Sequence, residues 1–279
     1  MAETDLPGAD GLRRLVGWNQ TPEDWVRMLR LEPDGCFVAT RDGLVVGSVT
    51  TTAYGQTLAW IGMMLVHPKH RRQGIGRQLM RQAIQSLNAK KVRCIKLDAT
   101  PAGFPLYQQL GFVSEWTLTR HQRAAGHAAA PGAAVAPDTR DLRETDWAAI
   151  EESDTRAFGV CRADLLRSLV QDSRRALVWP ANGPVLGWGL LRPGANADYL
   201  GPLVCANDEG SISLAGALLC AAGDRPVFWD VPDQNLPARG AAQRFGFAPV
   251  RPLTRMRLGP EIVSNDPRSQ FAIADPAVG

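Results

Sequence analysis

The chain of 279 residues has no uninterrupted apolar run of the ~18 residues that a membrane-crossing helix needs, so no span is read in it. Its first residues, Met1-Ala2-Glu3-Thr4-Asp5, hold neither a basic region nor an apolar core, and no secretory leader is expected. Cysteine is sparse. Cys36, Cys94, Cys161, Cys205 and Cys220 are scattered, odd in number and never spaced as Cys-x-x-Cys, which offers no disulfide framework and suits a reduced, cytoplasmic setting. Net charge is also low, since 31 basic and 28 acidic residues leave +3, so no nucleic-acid partner is required and no membrane partner is expected. His121 lacks cysteine or acidic companions, and no metal site is expected.

What the chain does have is apolar content for packed cores, at 45%, and a length that favours two domains over one. The most informative segment is Val66-His67-Pro68-Lys69-His70-Arg71-Arg72-Gln73-Gly74-Ile75-Gly76-Arg77. Before it, Leu58 to Val66 is long and apolar enough for a buried strand, which Pro68 ends. After it, Ile75, Leu79, Ala83, Ile84 and Leu87 recur at helical spacing, with Arg77, Gln78, Arg81, Gln82 and Gln85 on the other side. A helix that starts at two glycines, with free amides and arginines at its mouth, is suited to a pyrophosphate. Gly74 and Gly76 would leave space for the ligand to approach the backbone. His67, before Pro68, is read as positional.

A second segment follows at a fixed distance. Val92 to Asp98 alternates like a strand, and Thr100-x-x-Gly103-x-x-x-Tyr107-x-x-x-Gly111-Phe112 comes directly after it. Arg71-x-x-Gly74-x-Gly76 resembles the acetyl-CoA loop of the GNAT N-acetyltransferase superfamily, and the Thr100 to Phe112 segment resembles its second cofactor motif. Many members have Asn where Thr100 stands and Ala where Gly103 stands. The likeness covers roughly residues 15 to 120.

The resemblance implies an α+β (mixed α/β) fold: a twisted, mostly antiparallel mixed sheet flanked by helices, whose central parallel strands splay to admit the pantetheine arm of acetyl-CoA. Leu65 and Val66 would pair with that arm through their backbones. Arg71, Arg72, Gln73, Gly74, Ile75, Gly76 and Arg77 would hold the pyrophosphate, with Thr100 and Gly103 completing the cofactor site. Tyr107 would stand near the thioester sulfur, and a phenol can protonate a departing thiolate, so Tyr107 is the expected general acid. The general base stays open. Some members have a Glu on the strand before the phosphate loop, whereas this chain has Trp60, Ile61, Met63 and Met64 there. Asp98, Glu115 and a water chain are the candidates.

The acceptor end of such a site comes from the first helices and their connection. Thr21 is an N-cap candidate with Pro22 at the first helical position, so Trp18, Asn19 and Gln20 precede a helix and could face a substrate. Trp18 and Trp25 could equally pack that helix on the sheet. Cys36 to Thr40, a turn at Asp42-Gly43 and Leu44 to Thr50 read as a hairpin.

The second half repeats the plan. Residues 123 to 139 are rich in Ala, Pro and Gly and read as a linker, dividing a first domain at 1 to 122 from a second at 140 to 260. The polar residues from 261 to 279 are expected to be a loosely held tail. Asn235-x-x-Ala238-x-x-x-Ala242-x-x-x-Gly246-Phe247 copies the second motif at the same spacing, but Ala242 stands where Tyr107 would. After the strand at Tyr199 to Cys205 comes Ala206-Asn207-Asp208-Glu209-Gly210, without Gly-x-Gly and with two acids. Acids oppose a pyrophosphate, so the second domain is expected to be degenerate. The whole resembles tandem GNAT proteins with a YitH/HolE-like C-terminal domain, through Phe158-Gly159, Arg192-Pro193-Gly194, Gly201-Pro202 and Asp230-Val231-Pro232. Asp154, Phe158, Arg162 and Arg192 are further acceptor-contact candidates.

The expected activity is transfer of an acetyl group from acetyl-CoA to a primary amine of a small molecule. The alternatives are a protein or peptide acetyltransferase, acting on lysine or N-terminal amines, and a non-catalytic acyl-CoA sensor.

Overall fold

The computed structural model describes residues 1–126, 138–261 and 268–279. In chain order its helices are α1 (Leu6–Leu15), α2 (Pro22–Leu31), α3 (Ile75–Ala89), α4 (Phe104–Gln109), α5 (Trp147–Phe158), α6 (Ala163–Gln171), α7 (Asp208–Ala222) and α8 (Leu236–Arg244). Its strands are β1 (Phe37–Arg41), β2 (Leu44–Tyr54), β3 (Leu58–Val66), β4 (Cys94–Ala99), β5 (Val113–Arg123), β6 (Arg140–Asp141), β7 (Arg175–Trp179), β8 (Gly187–Arg192), β9 (Asp198–Cys205), β10 (Val227–Pro232), β11 (Ala248–Leu258) and β12 (Gln270–Ala272).

The chain forms two compact units. The first comprises Met1–Ser114, Met256–Glu261 and Pro276–Gly279; the second comprises Glu115–Arg255 and the described residues up to Asp275. This division departs from the boundaries expected from sequence. Residues 115 to 122 were expected in the first domain, but Leu118 to Arg123 of β5 pair antiparallel with β10 in the second unit. The expected tail is also corrected. Gln270–Ala272 is a strand paired with β9, and Phe271, Ile273, Ala277 and Val278 are buried. Of the expected linker, residues 127 to 137 lie outside the described residues, as do 262 to 267 of the tail.

In the first unit the strand order is β1, β2, β3, β4 and then the 256 to 258 end of β11. The β1–β2 hairpin closes over two residues, Asp42 and Gly43, both at positive φ (50° and 76°), the twist that a two-residue hairpin turn requires. Thr21 caps α2 by accepting from the Asp24 amide, while the Asp24 carboxylate accepts from Thr21 N at 2.8 Å. This reciprocal box fixes where the α1–α2 connection ends. Ala59 and Ile61 face α3, where Leu79, Met80, Ala83 and Leu87 bury the helix's apolar side.

β3 pairs antiparallel with β2 and parallel with β4, but the β4 pairing runs only from Leu58↔Cys94 to Trp60↔Lys96. Beyond Trp60 the two strands part. At the fork β3 carries an irregularity opposite residues 48 to 50 of β2, and Met63 takes φ 47°, a conformation most side chains avoid. The Ser48 hydroxyl donates to the Met63 carbonyl at 2.9 Å and holds the bulge in place.

The second unit repeats these relations. Its order is the 248 to 255 part of β11, then β5, β10, β9, β8, β7 and β6, with β12 alongside β9. β9 and β10 are parallel from Asp198↔Val227 to Leu200↔Trp229, and the fork opens after the same number of pairs as in the first unit. Its core lies under α7 and α8, around Leu203, Leu214, Leu218, Trp229, Val231 and Phe247.

Candidate active site

The first unit assembles the two sequence motifs at one end of its forked strands. β3 ends at Val66, a short 3₁₀ turn covers Pro68–His70, and α3 begins at Ile75 with Gly74 as its N-cap. The first helical hydrogen bond runs from Gln78 N to Gly74 O at 3.1 Å, so the amides of Ile75, Gly76 and Arg77 precede the helical ladder and form the positive end of the dipole. That arrangement can receive a phosphate group.

Each glycine also has a reason within the protein itself. At Gly74, φ is 83° and a β-carbon would meet nothing within 4 Å, so the backbone conformation is what requires glycine there. At Gly76 a β-carbon would come within 2.7 Å of the Met64 methyl, so glycine there lets the helix sit close to β3. Neither position is empty for a ligand's sake alone.

The basic side chains are partly engaged with the loop itself. Arg71 Nε donates to Val66 O at 3.1 Å, tying the loop to the strand end, and Arg77 donates to the Gln109 side chain. Gln73 accepts from Arg41 at 2.8 Å. Arg72 has φ 59° and completes the turn that presents the amides. His67 Nδ1 accepts from Lys69 N at 3.2 Å, the positional role expected of it.

Around α4 the second motif explains itself. The Thr100 hydroxyl accepts from Gly103 N at 3.2 Å, and the Thr100 carbonyl accepts from Gly103 N and Phe104 N at 3.0 Å each. Tyr107 then folds back over Gly103, and Phe112 stands edge-on to its ring with centroids 6.2 Å apart. The ring belongs to the core under α3, with 9% of the residue exposed. Burial pushes its phenol up to about 12.

The other candidates fall in different places. Trp18 is half-buried, and Asn19 and Gln20 are buried, all in the α1–α2 connection of the first unit, where Arg13 donates to Trp18 O at 3.3 Å. Asp98 lies at the far end of β4 in the first unit; Glu115 belongs to the second. In the second unit, Asp154 is held by Arg162 through two hydrogen bonds of 2.8 and 2.9 Å, and the guanidinium lies 3.8 Å from the Phe158 ring centre. These three side chains satisfy one another. Arg192 donates to the carbonyls of Gly201 and Ala274.

The second unit's own fork is filled. β12 pairs with β9 at Gln270↔Val204 and Ala272↔Leu203, Trp229 Nε1 donates to Phe271 O at 2.8 Å, and Ile273 N donates to Asp230 O at 3.2 Å. The terminal segment thus bonds to both arms where β9 and β10 diverge. Beyond β9, Asn207 caps α7 by accepting from Gly210 N at 2.9 Å, and the acids Asp208 and Glu209 occupy the first turn. Asn235 accepts from Ala238 N at 3.0 Å, as Thr100 does from Gly103, and Phe247 N donates to Ala242 O as Phe112 N does to Tyr107 O. The scaffold of the motif is kept, and Ala242 offers no hydroxyl.

A polar cluster missed by sequence reading is buried in the second unit. Arg120 donates to both oxygens of Asp230, at 2.8 and 2.6 Å, and the Tyr199 hydroxyl donates to Asp230 at 2.8 Å. Burial alone would raise the Asp230 carboxyl, but Arg120 and Tyr199 outweigh it and hold it below the usual carboxylate range. Its sequence signals are Asp230 in the Asp230-Val231-Pro232 motif and Arg120 at even spacing with Trp116 and Leu118, an inward charge in a strand pattern. Among the described residues no group of three His, Cys, Asp or Glu side chains could hold a metal ion, and no helix is long and apolar enough to cross a membrane.

Two family models, each described as an acetyltransferase (GNAT) domain, match residues 32–114 and 150–272. The chain belongs to the GNAT superfamily, in its tandem two-domain form, and is an acyltransferase. It is similar to the uncharacterized N-acetyltransferase YitH of Bacillus subtilis, at 25% identity over 85% of this chain and 83% of that one. It is also similar to holothin acyltransferase of a Pseudoalteromonas species, at 24% identity over 88% of this chain and 81% of that one. Among solved structures, a putative acetyltransferase of Pyrococcus horikoshii superposes with a TM-score of 0.84, at 23% identity, covering all of this chain (100%) and 94% of that one, and so shares the fold.

Proposed function

We propose that the first unit binds acetyl-CoA and transfers its acetyl group to a primary amine of a small molecule, and that the second unit serves as scaffold. The observation that carries this reading is the contrast between the two forks. In the first unit the fork leads to a glycine-capped helix start with basic side chains and to Tyr107; in the second, β12 bonds to both arms of the fork, acids begin the helix and Ala242 replaces the tyrosine.

The amides that begin α3, with Arg72 and Arg77 beside them, would neutralise the pyrophosphate, and the β3 edge beyond Trp60 would pair with the pantetheine amides. The amine attacks in its neutral form. Tyr107 remains protonated at neutral pH, since its phenol lies at about 12. A thiol has a pKa of about 8.5, so full proton transfer from such a phenol to a free thiolate is uphill. The hydroxyl is therefore better suited to donating a hydrogen bond to sulfur as charge develops, with solvent completing the protonation. β3 supplies no carboxylate, so water relays the amine proton outward, with Asp98 on β4 the acidic candidate that the first unit's own strands carry.

The test is a panel of small amines with acetyl-CoA, following CoA release and identifying products by mass spectrometry. Acetylation of one or more small amines supports the reading. CoA binding without transfer to any amine, or transfer only to peptides, replaces it.

A further inference from the structure

We infer that residues 276 to 279 close the acceptor side of the first unit's reaction site and determine how large an amine can reach the thioester. This inference rests on the acetyl-CoA reading above.

An acyl carrier with its phosphates at the start of α3 runs back along β3 from Val66 toward the fork. At about 3.3 Å per strand residue, an arm spanning about four residues ends beside Gly62 and Met63. One face of the sheet there is closed, because Ala59, Ile61, Tyr107 and the apolar side of α3 pack into one core. An amine must therefore arrive from the other face. Thr50 and Gly62, then Thr52 and Trp60, are cross-strand partners on that face, and Thr50 meets Met28 of α2.

Residues 276 to 279 lie on that same face. Trp60 Nε1 donates to Pro276 O at 3.1 Å, and Tyr54 Oη donates to Val278 O at 2.7 Å. Between these anchors the Ala277 backbone passes so close to Gly62 that a β-carbon there would stand 2.7 Å from the Ala277 α-carbon. Ala277 and Val278 are 4% and 3% exposed. The same face holds buried polar atoms with no hydrogen-bond partner among the described residues, Thr52 Oγ1 and, one turn before Met28 on α2, Trp25 Nε1. The segment is thus a wall built against the fork, fixed by backbone carbonyls, and it excludes both water and bulky amines.

The experiment compares the full chain with a chain ended after Asp275 and with the double variant Tyr54→Phe, Trp60→Phe, which removes both anchoring donors while leaving an aromatic ring at each position. Free thiol released from acetyl-CoA without added amine should rise about tenfold in the shortened chain and about threefold in the double variant, as water gains access. The kcat/KM ratio of bulky to compact amines should rise in both, while acetyl-CoA affinity by calorimetry stays within about twofold. If the shortened chain does not fold by circular dichroism, the double variant decides alone. Unchanged thiol release and unchanged ratio in a folded variant that binds acetyl-CoA overturn this inference. Failure of the unaltered chain to bind acetyl-CoA overturns the underlying reading, and this inference with it.

Discussion

The Tyr107 ring lies directly over Gly103, where a β-carbon would stand 2.9 Å from Cε2 and 3.2 Å from the hydroxyl oxygen. The ring is therefore held by backbone on one side and by Phe112 on the other. Removing only the hydroxyl should leave this packing intact. Tyr107→Phe is expected to keep acetyl-CoA affinity and thermal stability while lowering turnover about 10²- to 10³-fold, the range for losing one hydrogen-bond donor to the charge that develops in the transition state. Calorimetry, a melting curve and steady-state kinetics on one preparation check all three. Turnover equal to the unaltered protein's would remove Tyr107 from the mechanism.

Gly74 separates two reasons for a glycine. Its φ of 83° strains any β-branched residue, yet nothing in the protein crowds a β-carbon there. Asn visits that conformation at low cost, whereas other L-residues pay about 1–2 kcal/mol. Gly74→Asn is therefore expected to hold acetyl-CoA within about threefold, and Gly74→Val to lose at least about tenfold by distorting the amide array. Equal losses in both, by calorimetry, would show that close approach of the ligand is the reason instead.

The sequence marked the glycine-bearing turn before α3, the α4 motif and the duplication because each rests on a local pattern: strand, glycine turn and amphipathic helix follow one another within about thirty residues. Thr100 and Asn235 even accept, at matching positions of the motif, from the amide three residues on. What escaped detection depends on distant pairing. Nothing in Leu118 to Arg123 says that its partner is Val227 to Pro232, and the polar, proline-bearing end of the chain looks like a tail until its carbonyls meet Trp229, Trp60 and Tyr54. Asp154, Phe158 and Arg162 stand out in the sequence by residue type as acceptor-contact candidates, and only the structure shows them engaged with one another. The roles of Gly74 and Gly76 needed φ and the position of Met64, which no spacing reveals.

Alkaline instability follows from buried acids that resist ionisation. Burial pushes the Cys36 thiol from 9.0 up to about 11 and the Tyr107 phenol from 10.0 up to about 12, and it raises Tyr199 and Cys205 as well. A folded-state pKa above the unfolded value means that the native state holds its proton longer. The associated stability is complete below about pH 9 and declines as pH rises toward 12. Urea midpoints measured from pH 8 to 11 should fall steadily, and Cys36→Ala should flatten the early part of that decline. A midpoint constant to pH 11 would contradict it.

Gln270 tests whether the terminal strand is part of the fold. Its side-chain amide donates to Ala157 O at 2.7 Å with the residue 1% exposed, and its backbone carbonyl accepts from Asn235 Nδ2 at 3.0 Å. Glu at this position would set a carboxylate against a carbonyl, losing a donor and burying a charge. Leaving a buried polar group unsatisfied costs about 1–3 kcal/mol, and more when it is charged. Gln270→Glu should therefore lower the urea midpoint at pH 7 and recover part of the loss near pH 4, where the carboxyl can protonate and donate. Amide exchange gives an independent reading on the unaltered protein, since Ile273 N donates to Asp230 O and should exchange as slowly as the β9 amides beside it. Rapid exchange at Ile273, together with a neutral Gln270→Glu, would return this segment to the status of a loose tail.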